Sequence, residues 1–323
     1  MIKYLIYTSI HLCALFLIPT LSAMAQPYPS KPIKIIVPAA AGQAVDVGAR
    51  AFARALEPIL KQPVVIENRP GAGGDIGVTA VGKSPADGYT LLFGSSSIFA
   101  GNSWLYPRNF DIEEMIAPVS LLFESPAFLL KRPSIGRNIK ETMAAFQAQG
   151  KSQPSIGTSA TVNMVAYGML LEHMPADGLL RVSYGSNQKA FIELIKGDLE
   201  LLFDVVTSSG PLVKDGRLQA IGVSSNTRLS AFPAVPTFKE QGLEIPVSAW
   251  TVLSLPKATP PEIVAILNVA ANKALQSPEF RTVISEESGQ GIIGGSPQDA
   301  YERIRRDNAA WGRVIQKYKL KTE

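Results

Sequence analysis

Short apolar runs alternate along most of this chain with segments in which apolar residues recur every three or four positions. A short run bounded by turn residues is typical of a buried strand, and the longer spacing is typical of a helix with one buried face. The runs predict strands at residues 33–37, 64–67, 90–93, 127–130, 155–157, 181–184, 199–203 and 219–223. The spacing predicts helices at residues 49–60, 71–83, 139–149, 163–171 and 189–196, and two more after Thr259 and Ser296.

This alternation occurs twice, which indicates an α/β protein with mainly parallel sheets. We therefore expect two lobes, each a mainly parallel sheet flanked by helices, with a cleft at the carboxyl ends of the strands. The tail returns to helices. There, Thr259-Pro260-Pro261-Glu262 predicts a capping box, and Ser296-Pro297 predicts a second helix start.

The stretch Val37-Pro38-Ala39-Ala40-Ala41-Gly42-Gln43-Ala44-Val45-Asp46 has the pattern most informative about function. An apolar strand ends in small residues that leave their backbone exposed, and an amphipathic helix follows at once. The first turn of a helix has unpaired N–H groups and a partial positive charge, so it favours anions. The pattern predicts an anion site in this loop. Asp46 would stabilise the helix start more than it would contact a ligand.

The first 25 residues have the features of an export signal. Lys3 precedes a mostly apolar stretch, residues 4–21, and Ala23-Met24-Ala25 fits the small-x-small cleavage pattern. We expect cleavage after Ala25 and a periplasmic protein; an uncleaved membrane anchor is the alternative. Cys13 is the only cysteine, so an exported chain without it has no disulfide and depends on its core. With 46% hydrophobic and 18% charged residues, the chain has enough apolar residues to form a hydrophobic core.

Several classes of function lack the residues they need. The net charge is +4 with scattered charges, and the short basic cluster at Arg303, Arg305 and Arg306 reads as a solvated helix face, so no nucleic-acid partner is expected. The run from Gly77 to Ser84 matches the P-loop expression, but it falls inside a predicted helix, where it cannot cradle a nucleotide. No metal-ligand spacing and no nucleophile–base pair is visible in the sequence, so we expect no enzyme, no metal and no cofactor.

Four further motifs belong together. They are Glu67-Asn68-Arg69-Pro70-Gly71-Ala72-Gly73-Gly74, Pro85-Ala86-Asp87-Gly88-Tyr89-Thr90-Leu91, Val235-Pro236-Thr237 with Trp250, and Gly294-Gly295-Ser296-Pro297 with Trp311. The chain resembles, over essentially its whole mature length, the Bug (TctC-like) family of periplasmic solute-binding proteins of tripartite tricarboxylate transporters. The resemblance implies a two-lobed type II periplasmic binding fold (a Venus flytrap), and we expect the protein to be a monomer. Lobe 1 would be residues 26–125 plus 246–323, and lobe 2 residues 126–245.

The resemblance also implies the ligand and its site. The lobes would close on a small organic acid and deliver it by transient contact to membrane permease subunits. Carboxylate oxygens would be held largely by backbone N–H groups and ordered waters. The residues implied in binding are Ala39, Ala40, Ala41, Gly42, Gln43, Asp46, Ser95, Ser96, Thr158, Ser159, Thr161, Tyr184, Ser186 and Asp204.

The lining of this site departs from the family pattern. Ala39 stands where Phe is usual, Gln43 where Gly is usual, and Gly185 where Lys or Arg follows the Tyr. These changes remove an aromatic lid and a cation, and they predict a roomier and more polar pocket. Three alternatives to a transport receptor stay open at this point: a receptor read by a membrane-bound signalling kinase, an exported enzyme, and a degenerate relative that no longer binds the usual ligands.

Overall fold

The computed structural model describes residues 28–133, 136–174, 178–285 and 288–321. The chain divides into a short unit, Met1–Ser30, and one compact unit, Lys31–Glu323, which holds every helix and strand described. Within the described residues, no helix is both long enough and apolar enough to cross a membrane. The predicted signal peptide, its cleavage site and Cys13 lie outside the described residues.

The first half begins with a parallel sheet covered by helices. Its strands are β1 (Ile33–Val37), β2 (Val64–Asn68) and β3 (Thr90–Ser95), and its helices are α1 (Ala44–Leu60), α2 (Asp75–Gly82), α3 (Asn102–Leu105) and α4 (Ile112–Met115). β1 lies between β2 and β3, parallel to both, with Ile35 opposite Ile66 and Leu91. The P-loop match was predicted to fall inside a helix; it begins inside α2 and continues two residues past its end, so it does not precede a helix as a nucleotide loop does.

A 16-residue strand, β4 (Ile116–Lys131), leads into the second half. There follow α5 (Ile139–Ala148), β5 (Ser155–Thr158), α6 (Thr161–Leu170), β6 (Leu180–Ser183), α7 (Asn187–Lys196), β7 (Leu201–Val205), α8 (Val206–Lys214) and β8 (Gln219–Val223). β5 is parallel to β6 and β7, while β7 and β8 run antiparallel to the carboxyl half of β4. The second half thus repeats the alternation of the first.

The chain returns through one more strand and a set of helices. These are β9 (Ser248–Pro256), α9 (Pro261–Ala274), α10 (Pro278–Val283), β10 (Gly291–Ile292) and α11 (Pro297–Lys317). α11 begins with the side chain of Ser296 in a capping box with Asp299, which confirms the predicted start. The cap predicted at Thr259 is wrong. Its hydroxyl donates to the carbonyl of Pro256 (2.8 Å), and Pro260 precedes α9 without a side-chain cap.

β4 and β9 join the two halves into one curled sheet. The strand order is β2-β1-β3-β9-β4-β7-β5-β6, and β8 and β10 also pair with β4. The sequence predicted only residues 127–130 of β4 and none of β9. Both strands are buried almost throughout, and Trp250, Val252 and Leu253 of β9 have no exposed surface. Serine, threonine, glutamate and proline residues interrupt the apolar residues of both strands, so neither shows the continuous apolar run that marks a buried strand in sequence, which is why this pair was missed.

The core reaches across this junction. One cluster of buried residues includes Leu92 of β3, Trp250 of β9, Met164 of α6 and Trp311 of α11. A second cluster lies within the second half, where Phe128 and Phe232 pack edge to face with ring centroids 5.1 Å apart. Because the first cluster contains residues from both halves, one continuous hydrophobic core supports the strands whose ends carry the loops.

Candidate functional site

The strand directions bring the predicted loops toward one place. β3 and β4 run the same way because both are antiparallel to β9, and β7 runs the opposite way along β4. β3 ends at Ser95, opposite Thr251, and β7 ends at Val205, opposite Ala127. The loops after β1 and β3 therefore point toward the loops after β5, β6 and β7, beside the paired strands β4 and β9. Open α/β sheets bind ligands at such strand ends.

Asp46 organises the loop after β1. Its side chain is 2% exposed and accepts hydrogen bonds from the backbone N–H of Gly42 (2.8 Å), Nε of Arg50 (2.9 Å) and Nδ2 of Asn68 (2.8 Å). Burial opposes ionisation, but these hydrogen bonds and the charge of Arg50 outweigh it and lower the pKa of Asp46. Asn68 also donates to the carbonyl of Ala39 (3.0 Å). This network supports the structural role predicted for Asp46.

The same network occupies two of the N–H groups that the sequence assigned to a ligand. The N–H of Gly42 is taken by Asp46, and the N–H of Gln43 donates to the carbonyl of Ala40 (3.3 Å). Gly42 has a φ of +82°, which favours glycine at this turn. Among the described residues, no acceptor is found for the N–H groups of Ala40, Ala41, Ala44, Val45 and Asp46.

The start of α6 contacts the first half directly. Thr161 Oγ1 donates to Asn102 Oδ1 (2.9 Å), and Asn102 Nδ2 donates to the carbonyl of Gly73 (2.6 Å). A Cβ atom on Gly101 would lie 2.3 Å from Cγ2 of Thr161, so this close approach requires glycine. Thr161 is therefore a predicted site residue that lies where the two halves meet.

Asp204 is the centre of the second-half loops. It has no exposed surface, and it accepts hydrogen bonds from Asn187 Nδ2 (2.8 Å), Asn163 Nδ2 (3.5 Å) and Ser208 Oγ. Burial raises the pKa of Asp204 to about 7, although the hydrogen bonds lower it in part. Asn163, Asn187 and Ser208 belong to the first turns of α6, α7 and α8. One carboxylate thus ties three helix starts together.

The other predicted residues divide by exposure. Thr158 is 2% exposed and accepts from Arg181 Nη1 (3.4 Å). Tyr184 is also buried; its hydroxyl donates to Glu193 Oε2 (2.5 Å), and burial together with this hydrogen bond raises the pKa of Tyr184. Predicted residues with exposed or half-buried surface in this conformation are Ala39, Ala40, Ala41, Gly42, Gln43, Ser95, Ser159, Thr161 and Ser186, whereas Ser96 is buried. Their contacts with a ligand stay predictions.

Helices that begin at these loops lack the side-chain caps found elsewhere in the described chain. Capped helices begin after Asp111 (α4), Asn138 (α5), Ser277 (α10) and Ser296 (α11). Uncapped helices at the loops begin after Gln43 (α1), Ala160 (α6), Ser186 (α7) and Val205 (α8). α2, α3 and α9 follow glycine or proline, which have no polar side chain to offer. An uncapped first turn leaves N–H groups for water or an anion.

Cationic side chains near the loops are already engaged. Arg50 binds Asp46 and the side-chain oxygen of Asn68 (3.1 Å). Arg181 donates to Thr158 and to the carbonyl of Lys321 (2.9 Å). No cluster of His, Cys, Asp and Glu suited to a metal ion occurs in the part of the chain that the structure describes. The arrangement therefore offers an anion main-chain N–H groups rather than a free guanidinium.

Sequence reasoning missed the amides that hold these loops. Asn68, Asn102, Asn163 and Asn187 each join a loop to a distant element, and none was predicted as a site residue. Ser208 was missed as well, although its spacing of four residues from Asp204 is a local signal for a bond at a helix start. The long-range amide contacts have no such local signal.

A cavity of about 770 Å³ lies beside β4 and β9. Its lining includes Glu124, Pro126, Ser248 and Arg303, and none of the predicted site residues. The hydroxyl of Ser125 points away from it, toward Thr207 of α8 (3.4 Å).

Known proteins resemble this chain over nearly its whole length. A family model described as the tripartite tricarboxylate transporter family receptor matches residues 48–320. Protein BugT of Bordetella pertussis is 33% identical over 300 residues, which cover 90% of each chain. Among solved structures, MatC from Rhodopseudomonas palustris with bound malate is 26% identical with a TM-score of 0.74, covering 89% of this chain and 100% of that one. R. palustris Rpa4515 with adipate is 26% identical with a TM-score of 0.77, covering 90% and 98%.

Proposed function

Since this chain belongs to the family of tripartite tricarboxylate transporter receptors, which are two-lobed periplasmic solute-binding proteins, we propose that it captures a small organic carboxylate between its lobes. Lobe 1 would comprise residues 26–125 plus 246–323, and lobe 2 residues 126–245. The ligand would lie where the loops after β1 and β3 meet those after β5, β6 and β7. Relatives of known structure hold malate and adipate, which are acids of this class.

The uncapped helix starts are the observation that carries this proposal. α1 in the first half and α6, α7 and α8 in the second begin without a side-chain cap from the preceding residue, at strand ends that point toward each other. In α8 the N–H of Thr207 already donates to Ser125 Oγ (3.3 Å), and the other first-turn N–H groups stay available. Helix starts attract anions through these donors and through the helix dipole. Each hydrogen bond adds about 1 kcal/mol net, and micromolar binding needs about 8 kcal/mol, so donors from both lobes must act together. Closure of the lobes would supply them.

We further propose that the chain is exported, cleaved after Ala25, and acts as a monomer that contacts permease subunits of a tripartite transporter. The family supports the periplasmic location and the receptor role. Intact mass measurement of the protein recovered from the periplasm tests the cleavage site. A mass that still includes residues 1–25 would contradict it.

Calorimetric titration of the mature chain with malate and adipate tests the binding proposal. The diamide of adipate is the matched control, because it keeps the length of the ligand and removes both charges. We expect micromolar binding of at least one dicarboxylate and no measurable binding of the diamide. Equal binding of the diamide, or no binding of either acid, would contradict the proposal.

A further inference from the structure

Asp204 is a buried carboxylate that has only neutral hydrogen-bond donors. Asn187, Asn163 and Ser208 donate to it, and no Lys, Arg or His among the described residues forms an ion pair with it. A buried carboxylate is ordinarily compensated by a cation. Here the compensation comes from the first turns of three helices, each of which has a partial positive charge at its start. Asp204 therefore interacts with the same positive helix starts that would attract an anionic ligand.

Asn163 adds an unfilled acceptor to the same cluster. Its side chain is 1% exposed; Nδ2 donates to Ser159 Oγ (3.2 Å) and to Asp204, and Oδ1 has no donor among the described residues. A buried acceptor without a donor is costly. Rotating the amide by 180° exchanges the two atoms. The oxygen then accepts the O–H of a protonated Asp204, and the nitrogen takes the unpartnered position, where it can donate to an anion.

The elements packed against β7 bring few other charges to Asp204. Titratable or charged residues on them are Tyr167 on α6; Lys189, Glu193 and Lys196 on α7; Lys214 on α8; and Glu124 and Lys131 on β4, with none on β5. Glu193 accepts from Tyr184, and Lys131 donates to Gln219 (2.7 Å). None of these groups is hydrogen-bonded to Asp204 in the described residues, so its charge is free to respond to a ligand.

We propose that Asp204 positions the three helix starts in the empty receptor and becomes protonated when a carboxylate docks against them, so that capture of the ligand takes up a proton. This inference rests on the proposed function, because it requires an anionic ligand at these helix starts. Two negative charges in one buried site raise the pKa of the more easily protonated group. The proton comes from solvent, and Asn163 turns its amide to accept it and to donate to the ligand.

Calorimetry in two buffers of different ionisation enthalpy measures this proton directly. With the mature chain and malate or adipate, the pKa of about 7 leads us to expect uptake of about half a proton at pH 7, nearly one at pH 8 and almost none at pH 5. Affinity should then fall by up to about tenfold per pH unit above pH 7. Asp204→Asn should bind without proton uptake at any of these pH values.

Two further variants keep the test decisive. Asp46→Asn removes a buried carboxylate that Arg50 already compensates, and it should keep the proton uptake whatever its affinity. Asn187→Ala removes a donor to Asp204, so it should move half-maximal uptake to higher pH. Binding without uptake at pH 8, equal uptake in Asp204→Asn, or an unshifted profile in Asn187→Ala would overturn the inference and leave carboxylate binding standing. Failure of both acids to bind would overturn the proposed function and, with it, this inference.

Discussion

Asp46 in the first turn of α1 and Asp204 near the end of β7 are both buried carboxylates beside uncapped helix starts, yet their partners differ. Asp46 has Arg50 as a counter-ion together with two neutral donors, and its pKa is lowered. Asp204 has neutral donors alone, and burial raises its pKa to about 7. The first half therefore presents a fixed charge arrangement, whereas the second has one whose charge can change near neutral pH.

This difference separates two tasks that a receptor must perform. Asp46 shapes a loop by holding Gly42, and it does so at every pH near neutrality because its charge is compensated. Asp204 holds three helix starts but leaves their positive ends only partly neutralised. The half with the adjustable charge is the one expected to respond to the arriving anion.

The largest predicted effect is on the pH dependence of stability. The pKa of Asp204 is about 7 in the folded protein and about 3.9 in the unfolded chain, so folding favours its neutral form. The stability advantage of the wild type over Asp204→Asn is fully present below pH 4 and falls by about 4 kcal/mol as the pH rises through 7. Urea unfolding of both proteins between pH 4 and 8 measures this. If the free energies of unfolding of the two proteins changed in parallel with pH, the contrast between Asp204 and Asp46 would be contradicted.

Asp46→Asn should show the opposite sign when the same unfolding series is extended below pH 4. Because the pKa of Asp46 is lowered on folding, its ionised form is the stabilising one. The advantage of the wild type over Asp46→Asn should be present above pH 4 and disappear as the pH falls through the folded pKa. If the stability advantage of the wild type over Asp46→Asn grew on acidification, the pKa of Asp46 would be raised on folding, as that of Asp204 is.

Removing the cation from Asp46 should make it resemble Asp204. Arg50 is 45% exposed but pairs with a carboxylate that is 2% exposed, so Arg50→Met should cost about 1–2 kcal/mol, between the values for surface and buried pairs. Arg228→Met is the matched control, since both Arg228 and its partner Glu240 are exposed, and it should cost less stability than Arg50→Met. Equal losses in the two variants would show that Arg50 does not compensate Asp46.

A side-chain cap introduced at the start of α6 should raise the stability of the fold and weaken carboxylate binding. Ala160 is exposed and has the extended backbone of an N-cap residue without a side chain to cap with. Ala160→Asp should stabilise the protein by about 1 kcal/mol and weaken malate or adipate binding about tenfold, since the new carboxylate takes the first-turn N–H groups. Unfolding and calorimetric titration measure the two effects.

Ser277→Ala is the control that separates the effect of a helix cap on stability from its effect on carboxylate binding. Ser277 caps α10 through the N–H of Phe280 (3.2 Å), away from the predicted loops. Its loss should cost about 1 kcal/mol of stability and leave carboxylate affinity unchanged. If Ala160→Asp binds as tightly as the wild type, the N–H groups of α6 are not part of the site.

The smallest predicted effect concerns the shape of the pocket. Ala39 is half-buried at the start of the first loop, where the resemblance to the family predicts Phe. Ala39→Phe should fill part of the pocket and weaken adipate binding a few-fold more than malate binding. Competition titrations of the two acids measure the ratio. An unchanged ratio would show that the room beside Ala39 is not used.

The sequence predicted the elements whose residues carry a local pattern. β1 and β8 lie at the predicted residues, and α5 ends one residue before its predicted end. β9 escaped prediction because serine and threonine residues interrupt its apolar run. The site follows the same rule. The bare loop before α1 was predicted from its small residues, but Asp204 is linked to Asn163 and Asn187 across 41 and 17 residues, a contact that no local pattern reveals.

A crystal structure of the mature chain with bound malate or adipate would test the central claim most directly. The account predicts the ligand between the strand ends of the two halves. One carboxylate should lie within hydrogen-bond distance of first-turn N–H groups from α1 and from at least one of α6, α7 and α8, with no arginine in contact. A ligand in the cavity beside Arg303, or a carboxylate held by a guanidinium group, would contradict it.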